Sequence, residues 1–348
     1  MKKLLILWFL PVQFGFAQAD SSMYCVAFYN VENLFDTYND SLTLDDDFTP
    51  AGAYHWSYKK YLRKVNNISK VLLAMGEGNP PDLVGMAEIE NRRVLRQFCY
   101  ESPLQKFRYG FVHYDSPDRR GIDVALLYRK DRVQILHSEP LPVIFPFDTG
   151  SRNRDVLYAV ARLASGDTLH LFVNHWTSRY GGYAATIQKR NCYADMLKAR
   201  CEELWAQNSQ ANILIMGDFN DYPADESMSK ILNAKELHAG EIPDSMQLYN
   251  LMFRFAGMAN IGTHKHEDFW GCLDQMVVSS ALLQPDAPLA VQHRQAEIFR
   301  QDFMLEPDEK YGGYKTFRTF LGPRYIGGYG DHLPVFLHLH ALRNANPQ

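Results

Sequence analysis

The chain has no closely paired cysteines, no surplus of positive charge, no repeat and, past its first residues, no long hydrophobic run. Its five cysteines (Cys25, Cys99, Cys192, Cys201 and Cys272) include no C-x-x-C pair, which argues against a thiolate zinc site. Lys and Arg number 36 against 40 Asp and Glu, a net charge of −4. That balance excludes a generally basic nucleic-acid binder of the histone type, though not an enzyme with a local positive cleft or a bound cation. The triplet Gly-Gly-Tyr recurs at 181–183, 312–314 and 327–329, but its irregular spacing marks turns and not a repeat architecture. What is present is ordinary globular composition: 46% hydrophobic and 22% charged, which argues against a disordered or coiled-coil chain. At 348 residues the chain is long enough to bury a core without disulfide staples.

The one apolar run stands at the start. Lys2 and Lys3 precede Leu4 to Phe16, followed by Ala17-Gln18-Ala19. A basic start, a short apolar centre and an A-x-A exit describe a secretory signal peptide cleaved after Ala19. Thirteen residues interrupted by Pro11 and Gln13 are too few to span a bilayer. The expectation is an exported protein, periplasmic or secreted if bacterial, with a mature chain of residues 20–348 forming a single domain. Losing the two lysines takes the net charge from −4 to −6. No stable membrane insertion is expected, and the mature protein is read as a monomer. In an oxidising compartment one or two disulfides are allowed.

Short β-rich runs dominate the rest: Tyr24–Tyr29, Leu83–Ala87, Arg108–Tyr114, Asp123–Tyr128, Val156–Leu163, Leu169–Val173, Ile213–Met216, Gln275–Ser279 and Val335–Leu339. Helical spacing appears twice. Tyr58, Tyr61, Leu62, Val65, Ile68, Leu72 and Met75 share one face and stop at Gly76; Ile187, Ala194, Leu197, Cys201 and Leu204 make a second stripe. Many strands with a few long helices predict a layered α+β fold, sheets in the middle and helices outside.

Polar residues interrupt these strands at their ends. Asn30 ends the first strand, Glu88 the second and His175 the run Leu171–His175, while Asp218 and Asn220 follow Ile213–Gly217. Asp274 opens Gln275–Ser279, and Asp331-His332 opens Val335–Leu339. Strand ends and strand starts share one edge of a sheet where strands run antiparallel. One rim would then collect carboxylates, amides and two imidazoles. Each piece alone is weak, and Gly217-Asp218-Phe219-Asn220 taken alone reads as a turn. Six such interruptions together are harder to dismiss.

The combination resembles the endonuclease/exonuclease/phosphatase superfamily, the relatives of DNase I and exonuclease III. The matching segments are Tyr29-Asn30-Val31-Glu32-Asn33, Gly85-Met86-Ala87-Glu88, Val173-Asn174-His175, Gly217-Asp218-Phe219-Asn220, Leu273-Asp274-Gln275 and Gly330-Asp331-His332-Leu333-Pro334. The resemblance implies a four-layer α/β/β/α sandwich of two largely antiparallel sheets. It also implies hydrolysis of phosphate esters with a divalent cation, usually Mg²⁺, with Mn²⁺ or Ca²⁺ as substitutes. A hard cation with oxygen ligands suits the charge that builds on phosphate oxygens, and Glu88, Asn30 and Asp331 are its candidate ligands. By resemblance His332, oriented by Asp274, stands as base. Asp218 aligns or deprotonates water, and Asn220 fixes Asp218 or a phosphate oxygen. The division of base work between Asp218 and His332 stays open. His175 is assigned to a phosphate oxygen or the leaving group, with Asp123 its candidate carboxylate partner. Arg154 stands where relatives place a phosphate-contacting arginine. Ser178-Arg179 reads equally as a phosphate grip or a surface turn.

The expected function is an exported, metal-dependent hydrolase of phosphate esters, first a phosphodiesterase or nuclease with a nucleic acid as substrate. The alternative is a phosphatase or a sphingomyelinase-like phospholipase using the same site, and the least favoured reading is a non-catalytic surface binding protein. The aromatic segment Tyr311–Tyr329, beside the His332 motif, is where substrate identity is expected to reside, by stacking bases, stacking a sugar or packing on the sheet edge.

Overall fold

The protein is described here by a computed structural model covering residues 21–342; the signal peptide read at 1–19 lies outside the described residues. Two mixed sheets face each other. The first has six strands in the spatial order Leu289–Ile298, Val335–Leu342, Ser21–Leu34, Leu83–Ile89, Asp123–Arg129 and Tyr109–His113. The second has seven, in the order Val133–Leu141, Val156–Leu163, Thr168–His175, Ile213–Asp218, Asp274–Ser279, Leu248–Asn250 and Ala234–Lys235.

The layering follows from strands buried on both faces. Along the first strand Val26 and Phe28 point into a core shared with Leu171, Leu214 and Met276 of the opposite sheet. Ala27, Tyr29 and Val31 point the other way, against Val65, Ile68 and Leu72 of the helix Tyr58–Met75. Ile213 and Ile215 likewise face Tyr193, Leu197 and Cys201 of the helix Tyr183–Gln207, while Leu214 and Met216 face the central core. Near-continuous apolar runs are what such doubly covered strands require. The result is the expected α/β/β/α sandwich. Among the described residues no helix is long and apolar enough to cross a membrane, and all five cysteines are unpaired thiols.

The sequence reading missed the short strands, among them Leu248–Asn250 and Ala234–Lys235, and three longer elements. The strands Val133–Leu141 and Leu289–Ile298 are each at the edge of a sheet. They carry polar residues on the open side, as edge strands do, so only half of the alternating pattern survives. The nine-residue helix Arg92–Tyr100 is short, and its start is fixed by Asn91, whose side chain accepts a hydrogen bond from the Val94 amide at 2.9 Å.

Gly217 shows how closely the rim is built. A Cβ placed on it would lie 2.5 Å from both the Cβ and the carbonyl oxygen of Asn174 on the neighbouring parallel strand. Gly217→Ala is therefore expected to destabilise the fold by about 1–3 kcal/mol and to lower activity by moving Asp218 away from His175. Denaturant midpoint and kcat measured together check this; an unchanged pair would show that the strands can separate freely.

Candidate active site

Strand register gathers the polar ends. His175 pairs with Asp218 across the parallel ladder, and Asp218 with Asp274 across the antiparallel one. The opposite sheet brings Asn30 and Glu88 to the same mouth. Glu88 sits at a register break between Ala87 and Ile89 with φ of 65°, a left-handed bulge of the kind that re-aims a side chain at a functional site. Glu32, Asn33 and Asn220 also have positive φ, so three short segments around the rim hold conformations that side chains other than Gly and Asn disfavour.

Asp218 Oδ2 is the hub. It accepts from Asn30 Nδ2 at 3.0 Å and lies 3.7 Å from His175 Nε2 and 3.8 Å from His332 Nε2. Its other oxygen accepts the Asn220 amide at 3.0 Å. His332 Nδ1 is 2.6 Å from Asp274 Oδ2. The Thr263 hydroxyl accepts the Asp274 amide at 3.1 Å, fixing that carboxylate's backbone. His175, Asp218, Asp274 and His332 are all at least nine-tenths buried. Thus the structure brings together Asn30, Glu88, His175, Asp218, Asn220, Asp274, Asp331 and His332, scattered over three hundred positions of sequence.

Burial and mutual charge set the protonation of these groups. Burial would lower the His332 imidazole, but Asp274, Asp218 and Asp331 outweigh it and hold it well above 6.5. His175 goes the other way: burial, then repulsion from Arg154, keeps it well below 6.5 and neutral. Burial raises the Asp218 carboxyl, and Asp274 adds to the rise against the opposing pull of His332. Glu88 is raised by burial and then by Asp331. Burial pushes Asp331 upward too, but His332 and Arg318 overcome it and hold that carboxyl at about 2.

Glu88 carries the test of a cation's fit. Its Oε2 accepts the Asn33 amide at 2.8 Å, and its Oε1 lies 3.9 Å from Nε2 of the neutral His175. Among the described residues no Lys or Arg nitrogen comes within 4.0 Å of it. A largely buried carboxylate facing other carboxylates, with oxygen donors from Asn30 and Asp331 beside it, is a donor set of the kind a hard divalent ion takes.

Three expectations give way to the geometry. Arg154 does not face a phosphate site: it is buried, donates to the carbonyls of His175 and Trp176 at 2.8 Å, and meets Asp118 Oδ2 at 2.7 Å. It positions the backbone after His175. Arg179 donates to the Asn220 carbonyl at 2.7 Å and pairs with Asp221 and Asp225, so it braces the loop after Asp218. Asp123 is not the partner of His175; it lies 3.7 Å from His113 Nε2 instead. The aromatic segment is divided: Tyr311 and Tyr314 are exposed, while its other aromatic side chains are half-buried. Phe320 meets Phe48, Tyr54 and Trp56, and Tyr329 meets Phe303, so those two rings pack against the protein's own aromatics.

Other residues to which the sequence reading gave no role also join the rim. Arg318 bridges Glu32 Oε1 at 3.2 Å and Asp331 Oδ2 at 2.9 Å. Glu32 is buried beside Lys64 and takes the Thr319 amide at 2.6 Å. The His264 ring lies 4.7 Å from His332, held by an isolated bridge between the two residues. Asn67, part of a sequon-like triplet in the first helix, holds the carbonyls of Gly327 and Gly328 at 3.2 and 2.7 Å. Each had a faint signal in the sequence: Glu32 lies in the Tyr29–Asn33 motif, Asn67 in a sequon-like triplet, His264 in a His-Lys-His run and Arg318 in the aromatic segment.

The sequence profile described as the Endonuclease/Exonuclease/phosphatase family matches residues 25–341. No curated protein matches the chain by sequence. Among solved structures, a protein of that family from Bacteroides thetaiotaomicron aligns with a TM-score of 0.56 at 16% identity, covering 92% of this chain and 98% of the other. A mannosyl-6-phosphatase of the same organism aligns at 0.54 and 16%, covering 91% and 99%. The D. rerio TDP2 complexed with single strand DNA product aligns at 0.52 and 18%, also covering 91% and 99%. Such low identities speak for the shared fold alone.

Proposed function

The chain belongs to the endonuclease/exonuclease/phosphatase family, and on that premise we propose that it is a divalent-cation-dependent hydrolase of phosphodiesters, exported from the cell. The observation that carries the reading is Asp218 Oδ2 placed between two imidazole Nε2 atoms, 3.7 and 3.8 Å away, beside the unpaired Glu88.

The protonation states divide the work. Asp218, a buried carboxylate of raised basicity, takes a proton from the attacking water. His332, cationic and steered by Asp274, donates from Nε2 to a non-bridging phosphate oxygen, where negative charge grows in the transition state. Neutral His175 hydrogen-bonds another phosphate oxygen; as the water oxygen bonds to phosphorus, the P–O bond to the leaving group breaks and the departing alkoxide takes its proton from solvent. Asn220 keeps Asp218 in place. Glu88, Asn30 and Asp331 are the residues that would hold the cation, which supplies Lewis-acid charge at the phosphate when bound. Mg²⁺ is the expected ion, from the all-oxygen donor set.

A monoester reading has one observation in its favour. Next to Asp331 and Arg318 lies a cavity of about 210 Å³ whose lining includes Lys265, Glu306, Asp308 and Lys315. Its mixed charges suit a small polar substituent more than a base-lined strand. Turnover of a bis-aryl phosphate against a mono-aryl phosphate, with and without EDTA, decides between the two. Preference for the monoester would overturn the diesterase proposal, and full activity in EDTA would overturn the cation. Export rests on the leader-like first 19 residues; protein retained in the cytoplasm with residues 1–19 still attached would contradict it.

Glu88→Gln is expected to raise the metal concentration needed for half-maximal activity by on the order of 10–100-fold or more. The Gln carbonyl would keep the Asn33 amide satisfied and turn an NH₂ donor toward the cation's place. Titration of activity with Mg²⁺ checks this, and an unchanged midpoint would remove Glu88 from the ligand set.

A further inference from the structure

Away from that rim, the imidazole of His113 lies buried without a partner. Its side chain has no exposed surface, and neither ring nitrogen makes a hydrogen bond. Each nitrogen nevertheless faces a carboxylate: Nδ1 is 3.8 Å from Asp115 Oδ1, and Nε2 is 3.7 Å from Asp123 Oδ2. Those spacings are too long for hydrogen bonds; since an ion takes only one ring nitrogen, whichever nitrogen binds has one carboxylate oxygen 3.7 or 3.8 Å away, near the ~3.4 Å between two ligand atoms sharing a tetrahedral ion at ~2.1 Å. One ligand atom from each of His113, Asp115 and Asp123 falls within 4.8 Å of the others. A buried imidazole with no hydrogen-bond partner, set beside two carboxylates, leaves an unmet need for a positive group that one of its nitrogens can bind.

We propose that His113, Asp115 and Asp123 form a metal-ion site for Zn²⁺, separate from the catalytic rim, which ties together the two ends of the loop 114–122. One imidazole and two carboxylates leave a tetrahedral zinc ion with a fourth place for water. The imidazole also disfavours Mg²⁺, which takes oxygen donors almost alone. The site is built across the chain: His113 ends its strand, Asp115 starts the loop and Asp123 opens the next strand. An ion there pins the loop, which carries Asp118, the carboxylate that holds Arg154 against the carbonyls of His175 and Trp176. The loop thereby links the site to catalytic geometry, while none of its three ligands belongs to the rim.

The test uses the full chain stripped with EDTA and titrated with Zn²⁺ alone, followed by calorimetry and elemental analysis. Asp115→Asn is the cleanest variant because that side chain is 79% exposed and its loss leaves the core intact; His113→Gln supports it. Both are expected to bind one zinc fewer per chain than wild type, or to bind it at least ten-fold more weakly, whereas Glu88→Gln keeps the site. Zinc is also expected to slow trypsin cleavage after the exposed Arg119 and Arg120 in wild type and not in Asp115→Asn. The proposal fails if Asp115→Asn retains wild-type stoichiometry and affinity, or if zinc leaves no trace on loop cleavage. It fails as well if Glu88→Gln alone removes all zinc, since the ion then belongs to the catalytic rim and a bridging water fills the His113 site. Neither measurement depends on turnover, so an error in the assigned activity cannot imitate either result.

Discussion

Replacing His332 with alanine is expected to lower kcat by about 10²–10⁴-fold with the fold intact. The imidazole is held by a 2.6 Å contact to Asp274 and faces Asp218 across 3.8 Å, so its removal takes away the cation beside the phosphate and leaves two carboxylates facing each other. Asp274→Asn should produce much of the same loss, because an amide neither raises the imidazole's basicity nor fixes its orientation. The double variant should cost little more than the single His332 change, since the pair acts as one unit. Steady-state kinetics with circular dichroism on all three proteins measures this, and a near-normal rate for His332→Ala would remove the assignment.

The same pair carries a pH signature in the metal-free protein. The His332 imidazole is raised well above 6.5 in the folded chain. Its contribution to stability is therefore complete below about 6.5, where the unfolded side chain is also protonated, and disappears as pH rises through the folded value. Wild type should lose stability toward alkaline pH, and His332→Ala should show a flatter profile.

Asp218→Asn is the second large effect, again about 10²–10⁴-fold in kcat. The change is nearly isosteric but leaves a hydrogen-bond conflict. Asp218 accepts from Asn30 Nδ2 through one oxygen and from the Asn220 amide through the other. An asparagine has one acceptor and one donor end, so either orientation sets NH₂ against NH. The site loses its proton acceptor and one of two anchoring contacts, while repulsion against Asp274 is relieved. Activity should therefore collapse with only a modest change in melting temperature. A large fall in stability would mean that Asp218 chiefly holds the two sheets together.

How much of this was legible beforehand depended on what each residue answers to. Asn30, Glu88, His175, Asp218, Asp274 and His332 stand where an apolar run stops, and a polar group at the end of a buried strand is visible in one dimension. The strand Ser21–Leu34 and the helix Tyr58–Met75 follow from period-two and period-3.6 patterns. The roles of Arg154 and Arg179 were misread because a guanidinium has five donors and sequence does not say which carbonyls surround it. The partner of Asp123 was misread for a similar reason: His113 and His175 are both strand-end histidines, and only the sheet order separates them.

The sequence by itself determined the alternation that buries strands on both faces, the places where that alternation breaks, and the inventory of acids, amides and imidazoles at those breaks. Tertiary structure alone decided which of them meet. The 2.6 Å contact between His332 and Asp274, the bridge from Arg318 to Glu32 and Asp331, and the isolation of Glu88 depend on which strands become neighbours. The opposite protonation of two histidines has the same origin. Identical buried side chains diverge because carboxylates outweigh burial at His332, whereas at His175 burial prevails and Arg154 adds to it; that balance exists only once the chain is folded.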